Sequence, residues 1–199
     1  MLKNRRSIRL REYDYSRAGV YFITVCAQDR ECLFGEIADG RMVLNDAGRI
    51  VADEWGRIAG IRTEIEWDQW IVMPNHFHGI LTIPDSVRAI HESPRQMTAP
   101  QCRKLTIPDF VRAIHESPRQ MTVTERRNMT LPKLIGRFKM LSSKRINEMR
   151  NTPGVELWQR NYYEHIIRND DELNRIREYI VENPAKWAMD RENPWVGDG

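Results

Sequence analysis

Hydrophobic positions along the chain change period several times, and each change marks an element. Residues 19–26, GVYFITVC, form a nearly unbroken β-branched and aromatic run, which predicts a central strand buried on both faces. Residues 33–44 set the strong turn pair Asp39-Gly40 between short apolar stretches, the pattern of a small hairpin. From Asn45 onward Ala47, Val51, Trp55 and Ile58 recur at helical spacing, with Asn45 or Asp46 as the cap and Gly60 as the stop. Residues 64–72, EIEWDQWIV, alternate polar and apolar, predicting a strand that carries Glu64, Glu66 and Asp68 on one face, as a solvated face would. Pro74-Asn75 then turns the chain into a further strand within residues 71–83, IVMPNHFHGILTI.

The second half reads differently. LTIPDSVRAIHESPRQMT at 81–98 recurs at 105–122 with Phe110 in place of Ser86, a tandem duplication with a fainter echo from Thr130. Each copy is short and poor in apolar surface, so residues 84–125 are expected to be an insertion, partly helical, whose His91 and His115 are copied scaffolding. Residues 130–150 place Leu134, Ile135, Phe138, Leu141 and Ile146 on one side of a helix. Residues 155–168, VELWQRNYYEHIIR, predict a last strand, and a final helix capped by Asp170 or Asp171 turns Leu173, Ile176 and Ile180 inward until Pro184 stops it.

The element order is thus strand, helix, strand, strand, helix, strand, with one extra helix. That is the β-α-β-β-α-β pattern of an α+β, ferredoxin-like antiparallel sheet with two helices on one face, and the extra helix is expected to cover the other face. One domain spanning residues 1–199 and carrying the insertion suits the length.

Composition narrows the setting. Lys and Arg total 31 against 28 Asp and Glu, so distribution matters more than the net charge of +3. Cys26, Cys32 and Cys102 match no metal or redox spacing, which favours a reducing compartment. No apolar run approaches membrane-spanning length and no apolar region follows the basic N-terminus, so a cytoplasmic protein without a membrane partner is expected.

Chemistry concentrates in four places. His76 and His78 alternate with Phe77 on a strand, so both imidazoles project from one face and can share a metal ion, although such a pair also occurs as plain surface. Tyr179 and Asn183 are one helical turn apart, so Asn183 can offer a third ligand while Tyr179 faces the metal-bound group; Tyr179 also fits as the boundary of an apolar stripe. Lys133, Arg137, Lys139, Lys144 and Arg145 load the outer face of the 130–150 helix, near Arg126 and Arg127, and suit either solvent or a phosphate backbone. Arg160, Tyr162, Tyr163 and His165 interleave basic and aromatic groups as base stacking and phosphate contact require, and core packing explains part of this. The arginines at 5, 6, 9 and 11 suit a solvated tail or a phosphate-binding arm.

MPNHFHGIL, the basic helix ending FKMLSSKRIN, the block LWQRNYYEHIIR and the helix ending YIVENPAKW together resemble the REP-associated tyrosine transposases, a branch of the single-tyrosine HUH transposases. The likeness covers about residues 5–190 apart from the duplicated insertion, which departs from the pattern. It implies Tyr179 as nucleophile, with His76, His78 and Asn183 holding a divalent metal, Mg2+ or Mn2+. The implied reaction cuts and rejoins single-stranded DNA beside hairpins through a 5′-phosphotyrosine, in a nucleoid-associated monomer or homodimer. Two rivals remain: a hairpin-binding protein that does not cut, and a metal-dependent nuclease that uses water.

Overall fold

The computed structural model describes residues 18–62, 65–84, 130–190 and 192–194. The duplicated insertion, the N-terminal arginines, Arg126, Arg127, Glu64 and Cys102 lie outside them. Strand β1 (Gly19–Cys26) is followed by a hairpin of β2 (Gly35–Ala38) and β3 (Arg41–Leu44), then helix α1 (Asp46–Ile61), β4 (Glu66–Val72) and β5 (His76–Ile83). Helix α2 (Thr130–Arg150), β6 (Tyr163–Ile167) and helix α3 (Asp170–Glu182) complete the described elements, apart from two short 3-10 turns.

The main sheet has the order β4-β5-β1-β6, and every pair in it is antiparallel. Leaving the β2–β3 hairpin aside, this is the strand order of a ferredoxin-like fold, as the element sequence predicts. The hairpin turn places Asp39 and Gly40 at φ 50° and 69°, the left-handed pair that matches strand twist. Asn45 caps α1 by accepting the Gly48 amide at 3.0 Å. Gly48 is required by a close approach, since a Cβ there would lie 2.1 Å from the Phe34 carbonyl oxygen.

Both faces of β1 are buried, which explains its unbroken apolar run. One face packs under α1 and α2, where Phe77 meets Trp55 at 4.5 Å and Phe138 at 5.1 Å between ring centroids. Arg145 of α2 crosses to α1 and donates to Glu54 at 2.6 Å and to Asp53 at 3.3 Å. The opposite face carries Val20, Phe22, Ile80 and Ile167, and α3 covers it with Ile180 buried and Leu173 and Ile176 half-buried. Arg177 ties α3 to the sheet through a forked pair with Asp68 of β4, with Nε 3.1 Å from each carboxylate oxygen. Burying one large aliphatic side chain contributes about 1.5–3 kcal/mol. With so few groups docking it, α3 depends on each of them for its place on the sheet.

Two expected boundaries move. Strand β6 begins at Tyr163 rather than near 155, because the ladder to β1 shifts: Ala27 bridges Trp158, whereas Thr24 pairs with Tyr163. The interval of three residues on β1 is matched by five on the other side, so the polar Arg160-Asn161 segment leaves the ladder as a bulge. Lys139 holds that bulge by donating to the Gln159 and Arg160 carbonyls at 2.5 and 3.0 Å. The α3 cap is Asn169, one residue before the expected aspartates, and its side chain accepts the Glu172 amide at 2.8 Å.

Candidate functional site

Register fixes which side chains share the α3-covered face. Cys26 lies opposite His76, Thr24 opposite His78 and Tyr163, and Phe22 opposite Ile80 and His165. Both histidines therefore emerge on the face under α3, with ring centroids 4.4 Å apart, while Phe77 enters the other core. Each is almost fully buried. From above, α3 lowers Tyr179 until its hydroxyl lies 3.3 Å from His78 Nε2. Phe22 floors the arrangement, stacked on His78 at 5.2 Å and edge-on to Tyr179 at 6.2 Å.

Hydrogen bonds set the histidine tautomers. Asn75 donates through Nδ2 to the carbonyls of Arg30 and Glu192, at 3.0 and 2.6 Å, and carbonyls only accept. Its amide orientation is thereby fixed, Oδ1 faces His76 Nδ1 at 2.8 Å, and that nitrogen must carry the proton. In that tautomer His76 Nε2 carries a lone pair rather than a proton. On His78, Nδ1 lies 2.8 Å from the Thr24 hydroxyl, and in the tautomer where Nδ1–H donates to that oxygen, Nε2 on the side of Tyr179 is the acceptor.

The remaining groups come from the end of α3. Asn183 keeps helical dihedrals of −53° and −43° despite the proline that follows, so it stays one turn beyond Tyr179. Tight turns then carry the chain through a 3-10 turn at Trp187–Met189 and return Asp190 to the same spot. Asn183 Nδ2 donates to Asp190 Oδ2 at 3.1 Å, which turns Asn183 Oδ1 the other way. That oxygen is buried and makes no hydrogen bond among the described residues. Ligand atoms of His76, His78 and Asp190 all lie within 4.8 Å of one another. Two imidazoles, a carboxylate and an orphaned amide oxygen make a mixed nitrogen and oxygen donor set suited to a divalent metal ion.

The other residues expected at the site are placed unevenly. Tyr163 is on the site face, edge-on to Phe22 at 6.4 Å, and Arg160 is exposed in the neighbouring bulge. Lys133 and Arg137 are exposed on α2, in the helical layer across the sheet from the histidines. The basic face of α2 is narrower than its sequence suggests. Arg145 is committed to α1, Lys139 to the bulge, and Lys144 sits 3.8 Å from Glu148. Sequence reasoning missed Thr24, Asn75 and Asp190. A polar residue inside an apolar run was the signal available for the first two, while nothing periodic points to Asp190.

No family model matches the chain. An uncharacterised protein of Haemophilus influenzae is 36% identical over 190 residues, spanning 96% of this chain and 93% of that one. Among solved structures, a REP-associated tyrosine transposase bound to a REP hairpin superposes with a TM-score of 0.45 at 18% identity, covering 87% of this chain and 70% of that chain. A candidate transposase from Deinococcus radiodurans superposes with a TM-score of 0.38 at 16% identity, covering 88% of this chain and 96% of that chain. The ferredoxin-like assignment rests on the strand order and register of this chain, not on those superpositions. No helix among the described residues is long and apolar enough to cross a membrane.

Proposed function

The chain belongs to one family with the Haemophilus influenzae protein, and from the geometry of its own site we propose that it cuts and rejoins single-stranded DNA, with Tyr179 as the nucleophile. The observation that carries this reading is the 3.3 Å approach of the Tyr179 hydroxyl to His78, inside a cluster of groups suited to a divalent cation. His76, His78, Asp190 and Asn183 would hold that cation. When bound, it supplies positive charge to the scissile phosphate and lowers the cost of ionising the phenol.

The protein's own residues do the rest. The Tyr179 phenol gives up its proton and its oxygen attacks phosphorus; the bond from phosphorus to the 3′ oxygen breaks and that oxygen takes up a proton, so a free 3′ hydroxyl leaves with no net change in protons. The phosphate stays on Tyr179 as a 5′-phosphotyrosine, so a second 3′ hydroxyl can reverse the step without a nucleotide cofactor. Phe22 excludes water from beneath the reacting atoms, while Asn75 and Thr24 hold the imidazoles in register. In this reading Tyr163 would stack on a base and Arg160 would meet a phosphate. Lys133 and Arg137 suit a more distant stretch of duplex, such as a hairpin stem.

Incubation with labelled hairpin DNA bearing single-stranded flanks and Mn2+, followed by denaturing electrophoresis, tests the proposal. A band of protein joined to DNA, absent in Tyr179→Phe, is the expected result. Cleavage that persists in Tyr179→Phe would assign the attack to water, and hairpin binding without cleavage in the parent protein would assign a binding role.

A further inference from the structure

The tip of the β2–β3 hairpin stands beside the chain that leaves α3, where a Cβ on Gly40 would lie 3.7 Å from Ala185 Cα. Between the hairpin, the outer edge of β4 and the end of α3 runs an open cleft of about 380 Å³, within the size range of small-ligand sites. Met42, Leu44, Val181 and Pro184 give it apolar walls, and Arg41 is the single charged residue lining it. Trp70 stacks on Phe77 at 6.1 Å and is 40% exposed, and it lines the cleft.

We propose that this cleft takes an unpaired base of the DNA strand that passes the site, with the base against Trp70 and the adjoining phosphate on Arg41. The inference rests on the reading of the site as a single-strand nuclease and adds where the flanking strand goes. Continuity supports it. Ile71 in the cleft is the cross-strand partner of His78, Val181 and Pro184 belong to the end of α3 that carries Tyr179 and Asn183, and Trp70, paired with Gly79 and stacked on Phe77, closes the cleft from the other face of the sheet at the β4 edge. A strand whose phosphate reaches Tyr179 would enter the cleft by passing over the end of α3 to the β4 edge. Chemistry supports it too, because an aromatic face, apolar walls and one cation match a base and a single phosphate.

An extended peptide added to the β4 edge fits less well. The register of β4 shifts between Trp67 and Trp70, and the cleft exposes only Trp70 to Val72 of that edge. Three residues offer too short a ladder for strand addition, and a bulge of this kind blunts an edge.

Photocrosslinking tests the proposal with the full chain, using a DNA hairpin with randomised single-stranded flanks that carry 5-iododeoxyuridine and the same hairpin without flanks. Peptide mapping is expected to place the crosslink on Trp70 or the β3 segment. Trp70→Ala should weaken binding of the flanked hairpin about tenfold. Arg41→Ala, which leaves the aromatic wall intact, should weaken it several-fold and reduce the salt dependence by about one phosphate contact. Neither variant should alter binding of the flankless hairpin. The covalent adduct is scored in the same reactions. An adduct on Tyr179 with crosslinks only outside the cleft, or with both variants binding as the parent does, refutes the cleft and leaves the nuclease reading standing. If neither DNA binds, both fail. Unchanged DNA binding with loss of self-association in Trp70→Ala would give the cleft to pairing between protein chains and overturn the proposal.

Discussion

Replacing Asn75 by alanine isolates the claim that a side chain not contacting the metal determines how the metal is held. Asn75 is 1% exposed and makes three hydrogen bonds, to the Arg30 and Glu192 carbonyls and to His76 Nδ1. Each such bond contributes about 0.5–1.5 kcal/mol net, so Asn75→Ala should cost about 2–4 kcal/mol of stability. For a chain of this length that lowers the melting temperature by about 5–15 °C. The separate consequence concerns His76. Without Asn75 the ring can flip or change tautomer, and loss of an outer partner of this kind lowers metal affinity about 10- to 100-fold. Mn2+ titration followed by electron paramagnetic resonance, run well below the variant's melting temperature, measures that loss. Asn75→Asp provides the control, since it keeps an acceptor for His76 but sets an oxygen against two carbonyls. It should be at least as unstable as the alanine variant and bind Mn2+ more tightly. Asn75→Ala that binds Mn2+ like the parent, while His76→Ala does not, would refute the reasoning.

Five further variants test particular positions. Gly48→Ala should destabilise by about 1–3 kcal/mol because its Cβ meets the Phe34 carbonyl oxygen, whereas Gly56→Ala, with nothing within 4 Å, should stabilise α1 by about 0.5–1 kcal/mol; chemical denaturation checks both. Asp190→Ala removes the bonds its carboxylate accepts from Asn183 Nδ2 and the Glu192 amide, so besides weakening Mn2+ binding about tenfold or more in the same titration it should lower the melting temperature by roughly 2–10 °C. Arg177→Ala removes the forked link from α3 to Asp68, and should lower adduct formation while faster amide exchange in α3 reports its release. Burial raises the pKa of Glu172, but the Arg168 amide and the His165 ring outweigh it and hold the carboxyl below its ordinary value. A lowered carboxylate pKa gives stability that is present above the unfolded pKa and lost as the pH falls through the folded one. Glu172→Gln should therefore flatten the stability profile below about pH 4.3, as thermal melts across pH will show.

Much of this architecture was written in local pattern. The doubly buried β1, the Asp39-Gly40 hairpin, the α1 periodicity and the alternation of His76, Phe77 and His78 each follow from one stretch of chain, so period and turn chemistry suffice to read them. The β6 boundary was not legible in that way. Trp158 and Tyr163 both pair with β1, but the shift between them depends on which registers β1 offers and on Lys139 arriving from another helix. Asp190 escaped for a related reason. It reaches the histidines through a run of tight turns after Pro184, a path that carries no periodic signal. Arg145 looked like a free cation because its partners, Asp53 and Glu54, lie about ninety positions earlier in sequence on α1. Local sequence thus revealed which groups the fold could offer, while long-range pairing decided which of them face the site.

The placement of Tyr179 over the two histidines is tested most directly by the site of covalent attachment. Protein reacted with flanked hairpin DNA and Mn2+ is digested with nuclease and protease, and the modified peptide is sequenced by mass spectrometry. The nucleotide should be found on Tyr179, linked through a 5′ phosphate. Its recovery on Tyr162 or Tyr163, or DNA cut while Tyr179 stays unmodified throughout the reaction, would contradict the assignment.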